Sequence, residues 1–286
     1  MSLIDALQLF KYAGLNAAEI IWQDGYEAGL PEDDQGRTLV EVDRECRRLD
    51  LDVCALAPYM TGINSLDPVE RERDTKRFRR CIVDAARLGA GLVRVYAGSF
   101  RESEEDLRDQ KWALLLQSLS ELAMDATARG VTLAVENHFN TMTVSATQTA
   151  QLMRDLSGAS AVAILYDQAN LAFTHQEEYA EAIELQKPWI SHVHVKDLIF
   201  TDPKAKFTAS AVNRVASNER AVRSRIVGEG VLDWPGILAR LRAAGYSGPL
   251  SLEYEYRWHP QDLPAPAEGF RRSADNLRRL LEEPWR

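Results

Sequence analysis

The chain has 286 residues, of which 45% are apolar and 27% charged, with a formal net charge of -9. That balance suits a globular protein with a large core and excludes a low-complexity or disordered chain. The acidic charge argues against nucleic acid as a partner and favours a small neutral substrate, or one brought in with a cation.

Most of the chain repeats one unit: an amphipathic helix, a turn that often holds glycine, then an apolar run rich in strand formers. Ala6 to Ala13 reads as a helix, and Ala17 to Trp22 as a strand. The helix Arg37 to Leu49 precedes the strand Leu51 to Pro58, and the long helix Val69 to Leu88 precedes Gly91 to Ala97. Next come the helix Glu104 to Arg129 and the strand Val131 to His138, then Ala146 to Leu156 and Ala161 to Tyr166. Glu177 to Leu185 precedes Ile190 to Val195, Trp234 to Ala244 precedes Pro249 to Tyr254, and a last helix covers Ala267 to Leu281. Continuous rather than alternating apolar strands are those of a parallel sheet covered on both faces. Strict alternation with helices implies right-handed crossovers, in a closed barrel or an open sheet. No linker divides the chain, so residues 1–286 are expected to form one domain. Ile199 to Gly230 has little helical periodicity and is long for a connection, which predicts a lid or binding loop. It contains Lys204, Lys206, Arg214, Arg220, Arg223 and Arg225.

No apolar run approaches the ~20 residues needed to cross a bilayer, and the N-terminus lacks the basic-then-apolar pattern of a signal peptide. Cys46, Cys54 and Cys81 have no CxxC spacing, as expected of reduced thiols. These features predict a cytoplasmic protein with no membrane partner.

Ionisable residues collect at the ends of successive strands. Glu136 and His138 end one, Asp167 the next, His192 and His194 the one after, and Glu253 the last. In a barrel these ends converge on one mouth, where active sites are built. Singly, each has a plain structural reading: a salt bridge for Glu136 or Glu253, a turn for Asp167, a hydrogen-bonded core histidine for His192 or His194. Their recurrence on consecutive strands favours a shared metal ion, because buried charges persist when paired or metal-bound. Three carboxylates and one imidazole suit Mn²⁺ or Mg²⁺, with Co²⁺ or Zn²⁺ as substitutes.

The runs LAVENHFNT (133–141), LYDQANL (165–171), HVHVKD (192–197), GEGVLDW (228–234) and GYSGPLSLEYE (245–255) resemble the xylose isomerase-like TIM-barrel superfamily. This grouping contains sugar isomerases and epimerases, inosose dehydratases and an AP endonuclease branch. The resemblance covers nearly the whole chain and implies a TIM (β/α)8-type barrel. It also implies one divalent ion held by Glu136, Asp167, His194 and Glu253. By the same resemblance Glu136 and Glu253 would exchange protons with the substrate carbon. His138, Asn170, His192, Lys196 and Arg225 would contact substrate. The implied activity is an isomerase or epimerase acting on a sugar, polyol or related hydroxy-carbonyl compound through an enediolate. A dehydratase of the inosose or dehydroshikimate type is the nearest alternative, and a non-catalytic ligand-binding barrel the third. Relatives commonly form homodimers or homotetramers. The AP endonuclease branch needs several zinc ions with early histidines, whereas the first histidine here is His138.

Three departures stand out. Asn170 occupies the place where epimerases carry a histidine, and Phe200 stands where they carry an arginine, for which Arg225 is the candidate replacement. The first helix begins almost at Met1, with no strand before it. Either the barrel has seven strands, or the natural start lies upstream. A missing strand calls for an element that covers the two exposed edges.

Overall fold

The computed structural model describes residues 1–33, 35–173, 177–202 and 220–282. Seven parallel strands form one sheet in the order β1 (Ala17–Ile21), β2 (Asp52–Ala57), β3 (Leu92–Tyr96), β4 (Thr132–Glu136), β5 (Val162–Asp167), β6 (Ile190–Val195) and β9 (Leu250–Leu252). The sheet curls into a nearly closed barrel with helices outside. The expected helices are present: α1 (Leu3–Tyr12), α2 (Arg37–Leu49), α3 (Pro68–Leu88), α4 (Arg108–Thr127), α5 (Ala146–Asp155), α7 (Tyr179–Gln186), α8 (Trp234–Ala243) and α9 (Pro266–Glu282), with a short α6 (Gln168–Phe173) following β5. The sequence boundaries are off by a few residues where caps decide them. Helix α3 starts at an Asp67 cap with Pro68 in its first turn and stops at Gly89, whose φ of 72° favours glycine.

Helix α1 precedes the first described strand, as the sequence predicts. Strands β1 and β9 are the two edges of the sheet, and α1 and α9 close over them. Phe10 meets Phe270 edge-on at 4.9 Å, and Arg278 Nη2 donates to Gly14 O at 2.5 Å. The main apolar core lies between sheet and helices, where Leu7, Phe78, Ile82, Leu115 and Leu119 are fully buried. Inside the barrel a smaller layer of Ala55, Leu92, Ala134 and Leu165 forms the floor.

The described parts of the long connection after β6 line the cleft and hold a pairing that the sequence did not indicate. Asp197–Phe200 (β7) and Val222–Arg225 (β8) pair as an antiparallel ribbon. Lys204, Lys206 and Arg214 lie outside the described residues. The base of the ribbon is fixed by Asp197. Its carboxylate accepts from Leu198 N, Gly228 N, Gly230 N and Leu232 N at 2.8–3.3 Å. A Cβ at position 230 would lie 2.0 Å from Asp197 Oδ1. The second glycine of the GEG turn is therefore required by this close approach.

Candidate metal centre and active-site cleft

Period-2 alternation places Leu92, Arg94 and Tyr96 of β3 on the interior face, with Ala134 and Glu136 of β4, Leu165 and Asp167 of β5, and His192, His194 and Lys196 along and just beyond β6. Strand register sets them level: Tyr96 opposes Glu136, Asp167 opposes His194, and His194 opposes Ser251. Glu253 follows β9, where its N–H still donates to Val195 O. One ligand atom each from Glu136, Asp167, His194 and Glu253 lies within 4.8 Å of the others. The four residues expected to hold a metal therefore converge.

His194 Nδ1 faces the carboxylates at 3.6 Å from Glu136 Oε1, 3.7 Å from Asp167 Oδ2 and 3.3 Å from Glu253 Oε2. His194 Nδ1 and Asp167 Oδ2 are both buried; Nδ1 has no hydrogen-bond partner among the described residues, and Oδ2 faces only the Lys196 ammonium at 3.0 Å. Three carboxylates and an imidazole converging at this spacing in a low-dielectric interior, with one lysine at their edge, leave a place between them suited to a further positive charge. The donor set fits a divalent ion.

Around this cluster the partners are asymmetric. Arg94 is buried between the rings of Tyr59 and Tyr96, at 4.5 and 4.0 Å, and donates from Nη1 to Glu136 Oε2 at 3.0 Å and from Nη2 to Pro58 O at 2.7 Å. Asn170 Nδ2 donates to Glu136 Oε1 at 2.9 Å. Burial acts to raise the Glu136 carboxyl, but neighbouring His194 and the Arg94 charge outweigh it and bring it down to about 2. On the other side, Lys196 Nζ lies 2.7 Å from Glu253 Oε2, 3.0 Å from Asp167 Oδ2 and 3.7 Å from Glu255 Oε1. Burial opposes its charge, yet the Asp167 and Glu253 carboxylates hold it well above the usual lysine range. Asn137 joins the ends of β4 and β5: its side chain donates to Asp167 O at 2.8 Å and accepts from Asp167 N at 3.1 Å.

A cleft of about 630 Å³ opens above the cluster, lined by Lys196, Glu253, Asn170 and His138, with Tyr26, Tyr59, Tyr96, Phe139, Phe173 and Trp258 as an apolar wall. His138 Nδ1 pairs with Phe139 O at 2.8 Å, and burial keeps its pKa below the usual value.

Two residues expected at the substrate are placed elsewhere. His192 lies one inward position below His194, fully buried, with Nε2 2.8 Å from Glu19 Oε2. Arg225 is not among the residues lining the large cleft; with Ser224 it borders a small adjoining cavity that also touches Lys196 and Glu253, and its Nη1 donates to Ser224 O. Sequence reading missed Glu19, Arg94 and Asn137. Arg94 and Glu19 were detectable in principle as charges inside apolar strands, whereas Asn137 had only its place beside Glu136.

Residues 7–280 match the family described as Xylose isomerase-like TIM barrel. The inosose dehydratase of Geobacillus thermodenitrificans is 26% identical over 154 residues, which is 51% of this chain and 48% of that protein. The chain spans about half the length of the curated relatives it matches first. The apo 3-keto-D-glucoside 4-epimerase YcjR of E. coli has the same fold, with a TM-score of 0.72 at 18% identity over 97% of this chain and 94% of that one. So does a xylose isomerase-like TIM barrel protein from Mycobacterium smegmatis in complex with magnesium, with a TM-score of 0.70 at 17% identity over 97% and 89%. By the family match over almost its full length, the chain belongs to the xylose isomerase-like TIM barrel family.

Proposed function

We propose that this protein is a divalent-metal-dependent enzyme that removes the C–H proton beside the carbonyl of a sugar, a keto-polyol or a related hydroxy-carbonyl compound, with loss of water as the favoured outcome. The observation that carries the reading is the convergence of Glu136, Asp167, His194 and Glu253 below an open cleft. A divalent ion held there would draw electron density from the substrate's carbonyl and adjacent hydroxyl oxygens and so acidify the neighbouring C–H. Mg²⁺ and Mn²⁺ suit the oxygen-rich donor set.

The two glutamates differ in a way that bears on the outcome. Glu253 lines the cleft and is 29% exposed, whereas Glu136 is 1% exposed behind Arg94 and Asn170. Proton traffic through Glu253 alone serves one face of the substrate. Elimination needs one such base: the C–H proton goes to Glu253, the C–O bond beyond it breaks, and the departing hydroxyl takes a proton from Lys196 and leaves as water. Asn170 Oδ1, buried and without a hydrogen-bond partner among the described residues, would accept a hydrogen bond from a substrate hydroxyl, and the aromatic wall would take the substrate's C–H face. The inosose dehydratase relative is consistent with this outcome.

Isomerisation or epimerisation is the second reading, favoured by the position of both glutamates in the ligand set. The deciding experiment incubates chelator-stripped and Mn²⁺- or Mg²⁺-loaded protein with ketoses and keto-inositols in D₂O and follows product mass. Loss of one water with metal-dependent deuterium uptake is the expected result. Deuterium uptake with retained mass would select the second reading, and turnover indifferent to chelation would remove both.

A further inference from the structure

Glu19 has no part in the chemistry above, yet it is a carboxylate inside a barrel. It sits on β1, its side chain 10% exposed, in an interior that aliphatic side chains ordinarily fill. Strands β1 and β6 are not hydrogen-bonded neighbours, so the contacts of Glu19 reach β6 through the interior. Its Oε2 lies 2.8 Å from His192 Nε2, and its Oε1 and Oε2 both lie 3.1 Å from His194 Nε2.

An ionised carboxylate can only accept. Both histidines therefore carry hydrogen on Nε2. For His194 this leaves Nδ1 as the nitrogen that can offer a lone pair, and Nδ1 is the atom turned toward Glu136, Asp167 and Glu253. A ring protonated at Nδ1 alone would set its Nε2 lone pair against the Glu19 carboxylate. His192 donates to the same carboxylate from one layer below and restrains it from turning.

We propose that Glu19 is a positioning residue for the cation site: through Nε2 it sets the orientation and tautomer in which His194 presents Nδ1 to the ion, with His192 bracing Glu19. This rests on the reading that the four-residue cluster binds a divalent cation. Outer partners of this kind commonly contribute about 10- to 100-fold in metal affinity. Glu19→Gln keeps the shape of the side chain but supplies an amide that donates as well as accepts, so His194 loses its constraint.

The test uses the full chain, stripped with chelator and titrated with Mn²⁺ by calorimetry, for wild type, Glu19→Gln and His192→Gln. Far-UV circular dichroism monitors folding. Nitrogen-15 histidine spectra of Mg²⁺-loaded wild type report which ring nitrogen of His194 carries hydrogen. The expected results are one ion per wild-type chain, binding weaker by about 10- to 100-fold in Glu19→Gln, near-wild-type binding in His192→Gln, whose amide still donates, and hydrogen on His194 Nε2. Unchanged affinity in a folded Glu19→Gln, or hydrogen on Nδ1, overturns the positioning role while the metal site stands. Absence of binding to wild type overturns the metal reading and the proposal with it. Two ions per wild-type chain, falling to one in Glu19→Gln, would make Glu19, His192 and His194 a second ion site instead. Should Glu19→Gln fail to fold, the wild-type nitrogen spectra decide alone.

Discussion

Arg94 and Glu136 form an ion pair with Nη1 3.0 Å from Oε2, and their side chains are only 2% and 1% exposed. Such a pair is costly to bury and costlier to break, because removing one partner strands the other charge. Arg94→Met is expected to destabilise the metal-free protein by about 3–5 kcal/mol. Denaturant unfolding with an unchanged slope measures it. A loss of a few tenths would show that Glu136 does not depend on this partner.

Lys196 separates the two outcomes open to an acidified C–H. Lys196→Met removes the proton donor proposed for the departing hydroxyl but leaves Glu253 in place. Solvent exchange of the substrate C–H is expected to persist while water loss falls by about 10²- to 10⁴-fold, the usual contribution of general acid catalysis. Metal affinity should not fall, because the substitution removes a positive charge that lies 3.0 Å from Asp167 and 2.7 Å from Glu253. Equal losses of exchange and elimination would assign Lys196 to substrate binding instead.

Asp197 connects the HVHVKD and GEGVLDW runs through four backbone N–H groups. In Asp197→Asn one acceptor oxygen is replaced by an NH₂ group facing other donors. About 2–3 kcal/mol of stability should be lost, within the range for hydrogen bonds to charged groups and stranded buried donors. The ribbon that lines the cleft should loosen, so KM rises more than kcat falls. Thermal unfolding and steady-state kinetics on the same variant check both halves.

Away from the cleft, Lys111 is 6% exposed and its Nζ lies 2.6 Å from Glu104 Oε1. The hydrogen bond with Lys111 depresses the Glu104 carboxyl below its ordinary value, against a smaller opposing effect of burial. The unfolded chain binds this proton at higher pH than the native one, so the pair's stabilisation is complete above the unfolded value. It is lost as pH falls through the folded value. Glu104→Gln should therefore lower stability at neutral pH by about 1–2 kcal/mol and flatten the acid limb of the stability profile. An acid limb parallel to wild type would exclude this group as a contributor.

The helix–strand repeat, the parallel sheet and the place of Glu136, Asp167, His194 and Glu253 at strand ends were legible in the chain because each rests on local information. Glycine stops, apolar runs and acids or histidines at strand ends carry that information. The covering of the sheet edges was anticipated only as a need. That α1 and α9 meet it through Phe10, Phe270 and Arg278 depends on packing between the two ends of the chain. The ribbon Asp197–Phe200 with Val222–Arg225 was hidden for a related reason, since pairing across a long connection leaves no periodicity inside it.

Sequence alone determined that Glu136, Asp167, His194 and Glu253 fall at the ends of strands, because the strand runs and their parity follow from residue spacing. Tertiary structure decided what each of them meets there. It brought Arg94 onto Glu136, Lys196 onto Glu253 and Glu19 onto His192 and His194. The first two pairings join side chains of neighbouring strands, and the Glu19 contacts cross the interior between β1 and β6, which are not neighbours; linear spacing records neither relation.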